Sequence, residues 1–133
     1  YEEKGKFYLF VKSSPNPDNL LLLVSDHVNG KFERVEGFDD SMGAQTKGMY
    51  EAPTAVKLAD GRWCLFADFY GAGCAGQGYV PFVSDDLTKG VFTRADEAFH
   101  FPYGFKHGTI LPITEEEYER MLARDWTDVP DLR

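Results

Sequence analysis

The sequence predicts an all-β fold built from repeated blades: an incomplete β-propeller of about two to three blades with a short C-terminal helix. Three observations predict it. Gly5-Lys6-Phe7-Tyr8-Leu9-Phe10-Val11 is echoed 56 residues later by Gly61-Arg62-Trp63-Cys64-Leu65-Phe66-Ala67. Leu23-Val24-Ser25-Asp26 and Phe32-Glu33-Arg34 are echoed in turn by Phe82-Val83-Ser84-Asp85 and Phe92-Thr93-Arg94. A repeat of this length made of short strands is the signature of a propeller blade, and 133 residues hold only about two copies, fewer than a ring needs. The reading is one partial-propeller domain over 1–133, with repeat units near 5–35 and 52–95 and a closing segment and helix over 105–125.

The elements follow in order. A strand is predicted near Lys6 to Val11, then a turn over Ser13 to Asn19, rich in Ser, Pro and Asn. A second strand covers Leu20 to Ser25. Asn29-Gly30 is a hairpin signal, and Phe32 to Val35 is the next strand. The polar, glycine-containing stretch Glu36 to Gly48 reads as a loop. Ala52 to Leu58 and Arg62 to Ala67 are strands joined by a tight Asp60-Gly61 hairpin. Gly71 to Gly78 is a glycine-rich loop; it lacks the Lys-Ser/Thr ending and following helix of a phosphate loop. Tyr79 to Ser84 and Val91 to Arg94 are further strands. Thr114-Glu115-Glu116-Glu117 is a capping box. It opens a structural helix carrying Tyr118, Met121 and Leu122 on one face, a spacing that packs on a sheet or ring rim. The tail from Trp126 to Arg133 reads as loose or docked on a neighbour.

Composition narrows the function classes. The formal net charge is −8 with no run of Lys or Arg, which argues against nucleic acid and anionic membranes as partners. No apolar run is long enough to span a bilayer. The aromatic share of 15% suits both half-buried sheet faces and the flat platforms on which sugars stack. Cys64 and Cys74 fit no metal spacing. Cys64, in an apolar strand, is expected to be buried; a Cys64–Cys74 disulfide is an open alternative.

Glu51 is the carboxylate of greatest interest. It stands at the entry to a strand, after Met49-Tyr50 and before Ala52-Pro53. Apolar neighbours desolvate a carboxylate and raise its pKa, which is what a general acid needs to hold its proton near neutral pH. A lone Glu is otherwise a surface residue. Asp68 and Tyr70 follow a strand and lead into the glycine loop, a position suited to holding sugar hydroxyls; turn capping and rim packing are the plainer roles. Asp26, Asp85 and Asp86 lie at repeated turns and read as structural punctuation.

The succession Glu51-Ala52-Pro53-Thr54, Gly61 to Asp68, Gly78 to Leu87, and Lys106-His107-Gly108-Thr109-Ile110-Leu111-Pro112-Ile113-Thr114 with Glu116-Glu117-Tyr118 resembles the C-terminal half of glycoside hydrolase family 43. These enzymes are five-bladed propellers acting on arabinan and xylan-type glycans. The resemblance covers nearly the whole chain. It implies that Glu51, in the family's Glu-(Gly/Ala)-Pro motif, is the general acid. It implies that His107, in the His-Gly motif, lies at the ring axis beside a cation or water cluster; a hydrogen-bonded core histidine is the alternative. No cofactor is expected, although a structural calcium near His107 fits the pattern. The family pattern has Arg where this chain has Lys106, so a substrate contact there loses its bidentate fork. His27 and His100 match nothing and read as surface residues.

The resemblance also implies a base Asp and a third, tuning Asp, both in positions preceding Tyr1. Inverting hydrolysis needs that second carboxylate to activate a water, and no Asp in this chain sits in either pattern. The expectation is therefore the C-terminal portion of a glycosidase for arabinose- or xylose-containing plant polysaccharides. It supplies the acid and has little activity alone. Expected partners are the oligosaccharide or polysaccharide and either a complementary N-terminal half or a second copy of the chain. The alternatives are a non-catalytic carbohydrate-binding or assembly module, or an unrelated β-sandwich.

Overall fold

The structure is a computed structural model that describes residues 1–13, 20–45, 50–70, 78–99 and 106–124. Two antiparallel four-stranded sheets form its body. The first runs in the order β1 (Glu2–Glu3), β2 (Lys6–Lys12), β3 (Leu20–Ser25), β4 (Glu33–Arg34). The second runs β5 (Tyr50–Lys57), β6 (Trp63–Phe69), β7 (Tyr79–Ser84), β8 (Thr93–Arg94). Helix α1 (Glu36–Gln45) links the sheets, and α2 (Glu115–Ala123) follows the second.

The sequence repeat is also a repeat of hydrogen-bond register. Phe7↔Ser25 and Leu9↔Leu23 in the first sheet become Trp63↔Ser84 and Leu65↔Phe82 in the second. Val24↔Glu33 becomes Val83↔Thr93. Even the turns agree: the Ser25 hydroxyl accepts from the His27 amide at 3.2 Å, and the Ser84 hydroxyl from the Asp86 amide at 3.3 Å. The fold is mostly β rather than all-β: two matched sheets that do not close on each other, with two α-helices.

The core lies between the sheets. Alternating β2 and β3 residues Tyr8, Phe10, Leu20 and Leu22 meet Ala55, Trp63, Leu65 and Ala67, as the two-residue period of a strand requires. A second, smaller cluster of Cys64, Phe66 and Tyr79 lies on the far face of the second sheet, covered by Phe99 and Ile110. Cys64 is a free, fully buried thiol, and burial pushes its pKa up to about 12.

The loop expected over Glu36 to Gly48 is instead helical as far as Gln45. Phe38 and Met42 lie one turn apart and are both buried, and Phe38 forms an edge-on aromatic cluster with Phe10 and Phe92 at 5.8 and 5.4 Å. The Ser41 hydroxyl donates to the Phe92 carbonyl at 2.7 Å and accepts from its amide at 2.8 Å, as a paired strand would. Gly37 and Gly90 let α1 meet the turn after β7: a Cβ on Gly37 would stand 2.3 Å from the Lys89 carbonyl. That turn is a short 3-10 helix, Leu87–Lys89, capped by Asp86, so the strand expected from Val91 shrinks to Thr93–Arg94.

Helix α2 carries the expected capping box, with Thr114 and Glu117 exchanging hydrogen bonds. Its Tyr118, Met121 and Leu122 face is exposed, where packing on a sheet or ring rim was expected. Among the described residues no helix is long and apolar enough to cross a membrane. The Ser14 to Asn19 turn, the Gly71 to Gln77 loop with Cys74, His100 and the Trp126 to Arg133 tail lie outside the described residues.

Candidate active site

The site forms where β2 and β6 end, β5 begins and the segment from residue 106 crosses them. Glu51 and Asp68 are direct register partners on β5 and β6, so their side chains share a face. Immediately after Glu51 the register slips: Ala52 and Pro53 on β5 stand opposite Ala67 alone before pairing resumes at Thr54↔Phe66. This is a β-bulge, which bends a strand and re-aims the side chain beside it. Pro53 has no amide hydrogen to offer the ladder, so a bulge is where it fits. Ala52 takes a left-handed backbone, φ 45°, which a small residue tolerates better than a branched one.

His107 is also left-handed, φ 52°. Three strands pin its segment. The His107 amide donates to Asp68 Oδ2 at 2.8 Å, the Tyr79 hydroxyl donates to the Gly108 carbonyl at 2.5 Å, and the Ile110 amide donates to Thr54 Oγ1 at 3.5 Å. The imidazole Nε2 then stands 3.6 Å from Glu51 Oε1 and 3.6 Å from Asp68 Oδ2. The His107 side chain is 58% exposed and Glu51 22%, whereas Asp68 is completely buried. Asp68 Oδ1 is also buried and has no hydrogen-bond partner among the described residues.

Lys12 arrives from the other sheet. Its ammonium donates to Glu51 Oε2 at 2.9 Å and sits 4.4 Å above the centre of the Tyr70 ring, a cation–π distance. Lys12 and Asp68 hold the same place in the repeat: Lys12 pairs with Leu20 as Asp68 pairs with Tyr79. The Lys12 ammonium, its hydrogen bond first, holds the Glu51 carboxyl below its ordinary range, with help from His107 and Lys106. Glu51 was expected to be shifted upward by desolvation. Burial does push that way, but the salt bridge outweighs it.

The structure thus brings Glu51, Asp68, His107 and Tyr70 to one point, with the exposed Lys106 beside them. Asp68 is closed off from solvent, so the sugar-hydroxyl contact expected of it is not open to an incoming ligand. Sequence reasoning missed Lys12, which lies 39 residues from Glu51. The repeat itself carried the signal, since it sets Lys12 in register with Asp68. A calcium near His107 would draw its oxygen ligands from Glu51, already held by an ammonium, and from the buried Asp68. Among the described residues no group of three or more His, Cys, Asp or Glu has metal-binding geometry.

Two sheets in repeat thus set the Glu51 carboxylate, the buried Asp68 and the His107 imidazole together at one corner. Residues 1–119 match the glycosyl hydrolase family 43-related family, described as a probable glycosyl hydrolase domain. The chain belongs to that family. Neither the curated proteins nor the solved structures gave a match.

Proposed function

We propose that this domain works in glycoside hydrolysis, with Glu51 as the general acid toward arabinose- or xylose-containing plant polysaccharides. In this reading the two sheets are adjacent blades of a propeller and the reaction inverts the anomeric centre. The observation that carries it is the placement of Glu51: aimed by a bulge, partly open to solvent and within reach of the His107 imidazole, inside a domain of a glycosyl hydrolase family. His107, Lys106 and Tyr70 line the approach and would contact the sugar. Lys12 must yield Glu51 when substrate enters, because a carboxylate bonded to an ammonium holds no proton to give.

The partner carboxylate is the open requirement. Asp68 faces Glu51 on the next strand but is buried and bonded to the His107 amide, so it cannot activate a water. We therefore expect the base to come from a complementary N-terminal half or a second copy of the chain. A second reading, a sugar-binding module without chemistry, is favoured by the lowered pKa of Glu51.

Aryl arabinofuranosides and xylosides separate the two. With the N-terminal half of a family member supplied, Glu51→Gln is expected to cut turnover about 10²–10⁴-fold on a poor leaving group. It should cut far less on dinitrophenolate, which leaves without a proton. Equal loss on both substrates would overturn the role of acid. Calorimetric binding of arabino- or xylo-oligosaccharide with no turnover in any combination would establish the second reading, and neither binding nor turnover would sink both.

A further inference from the structure

We propose that Asp68 is a positioning residue: it acts on Glu51 through His107, fixing the main chain at 107 so that the imidazole stands beside the acid. As a statement about catalysis this rests on the reading of Glu51 above; as a statement about His107 it does not.

The argument starts from burial. Asp68 is fully inaccessible, so it meets no ligand directly. A buried carboxylate is costly unless it is paired and fully hydrogen-bonded, yet Oδ1 has no partner among the described residues. Its register neighbour is another carboxylate, Glu51, an unfavourable pairing in a sheet. Packing alone would favour an apolar residue here, as at Cys64 and Phe66 on the same face of β6. What Asp68 does provide is the acceptor for the His107 amide at 2.8 Å. His107 holds a left-handed backbone that a non-glycine residue adopts only when its surroundings impose it. The acceptor on β6 is that imposition. Turning the chain there brings Nε2 to 3.6 Å from Glu51 Oε1. The titratable and charged groups facing Glu51 are then Lys12 from β2, Asp68 from β6, and His107 and Lys106 from the crossing segment.

The test uses the isotopically labelled chain and nuclear magnetic resonance, with no turnover required. In Asp68→Ala the His107 amide is expected to exchange with solvent at least about tenfold faster. Its strong intraresidue amide–Hα Overhauser effect, the mark of a positive φ, is expected to fade. Asp68→Asn keeps a carbonyl oxygen for the same amide and is expected to retain both signals. Lys12→Met is expected to raise the Glu51 titration while leaving the His107 amide untouched. Unchanged His107 signals in Asp68→Ala, or an Asn variant that behaves like Ala, would overturn the proposal. Should Asp68→Ala fail to fold, His107→Gly is added, because glycine takes the positive φ unaided. Recovered folding supports the proposal, and continued failure overturns it. Where turnover is measurable, Asp68→Ala should lower kcat with KM little changed. Chemistry that ignores Glu51→Gln while the amide signals behave as expected would sink the acid and leave the positioning standing.

Discussion

At the scale of single residues, the backbone matters as much as the side chains. Two non-glycine residues at the site, Ala52 and His107, are left-handed, a conformation that costs L-residues roughly 1–2 kcal/mol. Ala52→Gly should therefore be neutral or stabilising by up to about 1 kcal/mol in urea melts. Ala52→Val, branched at Cβ, should destabilise by more than that and displace Glu51. Equal stability of the two variants would show that the bulge is not under strain. This also explains what the sequence revealed. Glu51 was visible because the Glu-Ala-Pro motif is local, and the motif's Ala and Pro make sense once the bulge is seen. Lys12 was not visible, since its role depends on how two sheets pack. Nor was the downward pKa shift of Glu51, which Lys12 causes.

At the scale of elements, the long strands were legible, whereas the short β1 and helix α1 were not. β3 and β7 fall where apolar runs and the turns before them placed them. α1 escaped because Gly37 and Gly43 dilute its helical signal and only Phe38 and Met42 are buried. Its stability is tertiary: Ser41 and Gln45 hydrogen-bond to the Phe92 backbone, and Phe38 completes the aromatic cluster. Phe38→Ala should thus cost about 3–5 kcal/mol in denaturant titration, the range for emptying a packed aromatic site. A loss under about 1 kcal/mol would mean that α1 is an ornament on the sheets rather than the wedge between them.

At the scale of the whole molecule, three ion pairs among the described residues cross from sheet to sheet: Lys4–Asp86 and Lys12–Glu51, at 2.8 and 2.9 Å, and Lys57–Glu3 at 2.7 Å. All three carboxyls are held below their ordinary range, in each case chiefly by the lysine's hydrogen bond. A lowered folded-state pKa adds stability that is present above the unfolded value, about 4, and is lost as pH falls through the folded value. Thermal midpoints should therefore hold from neutrality to about pH 5 and fall below about pH 4, with a shallower fall in Lys4→Met and Lys12→Met. An unchanged acid limb in both would show the crossings to be energetically idle. One of them has a wider consequence. The final core-strand position is lysine in one unit and aspartate in the other, so the units are not interchangeable. Lysine at both positions would set two ammonium groups around Glu51 and leave the His107 amide without its acceptor. Aspartate at both would crowd three carboxylates into the same corner. Only lysine at 12 with aspartate at 68 gives Glu51 an ammonium and the His107 amide an acceptor at once, so the corner needs one unit of each kind.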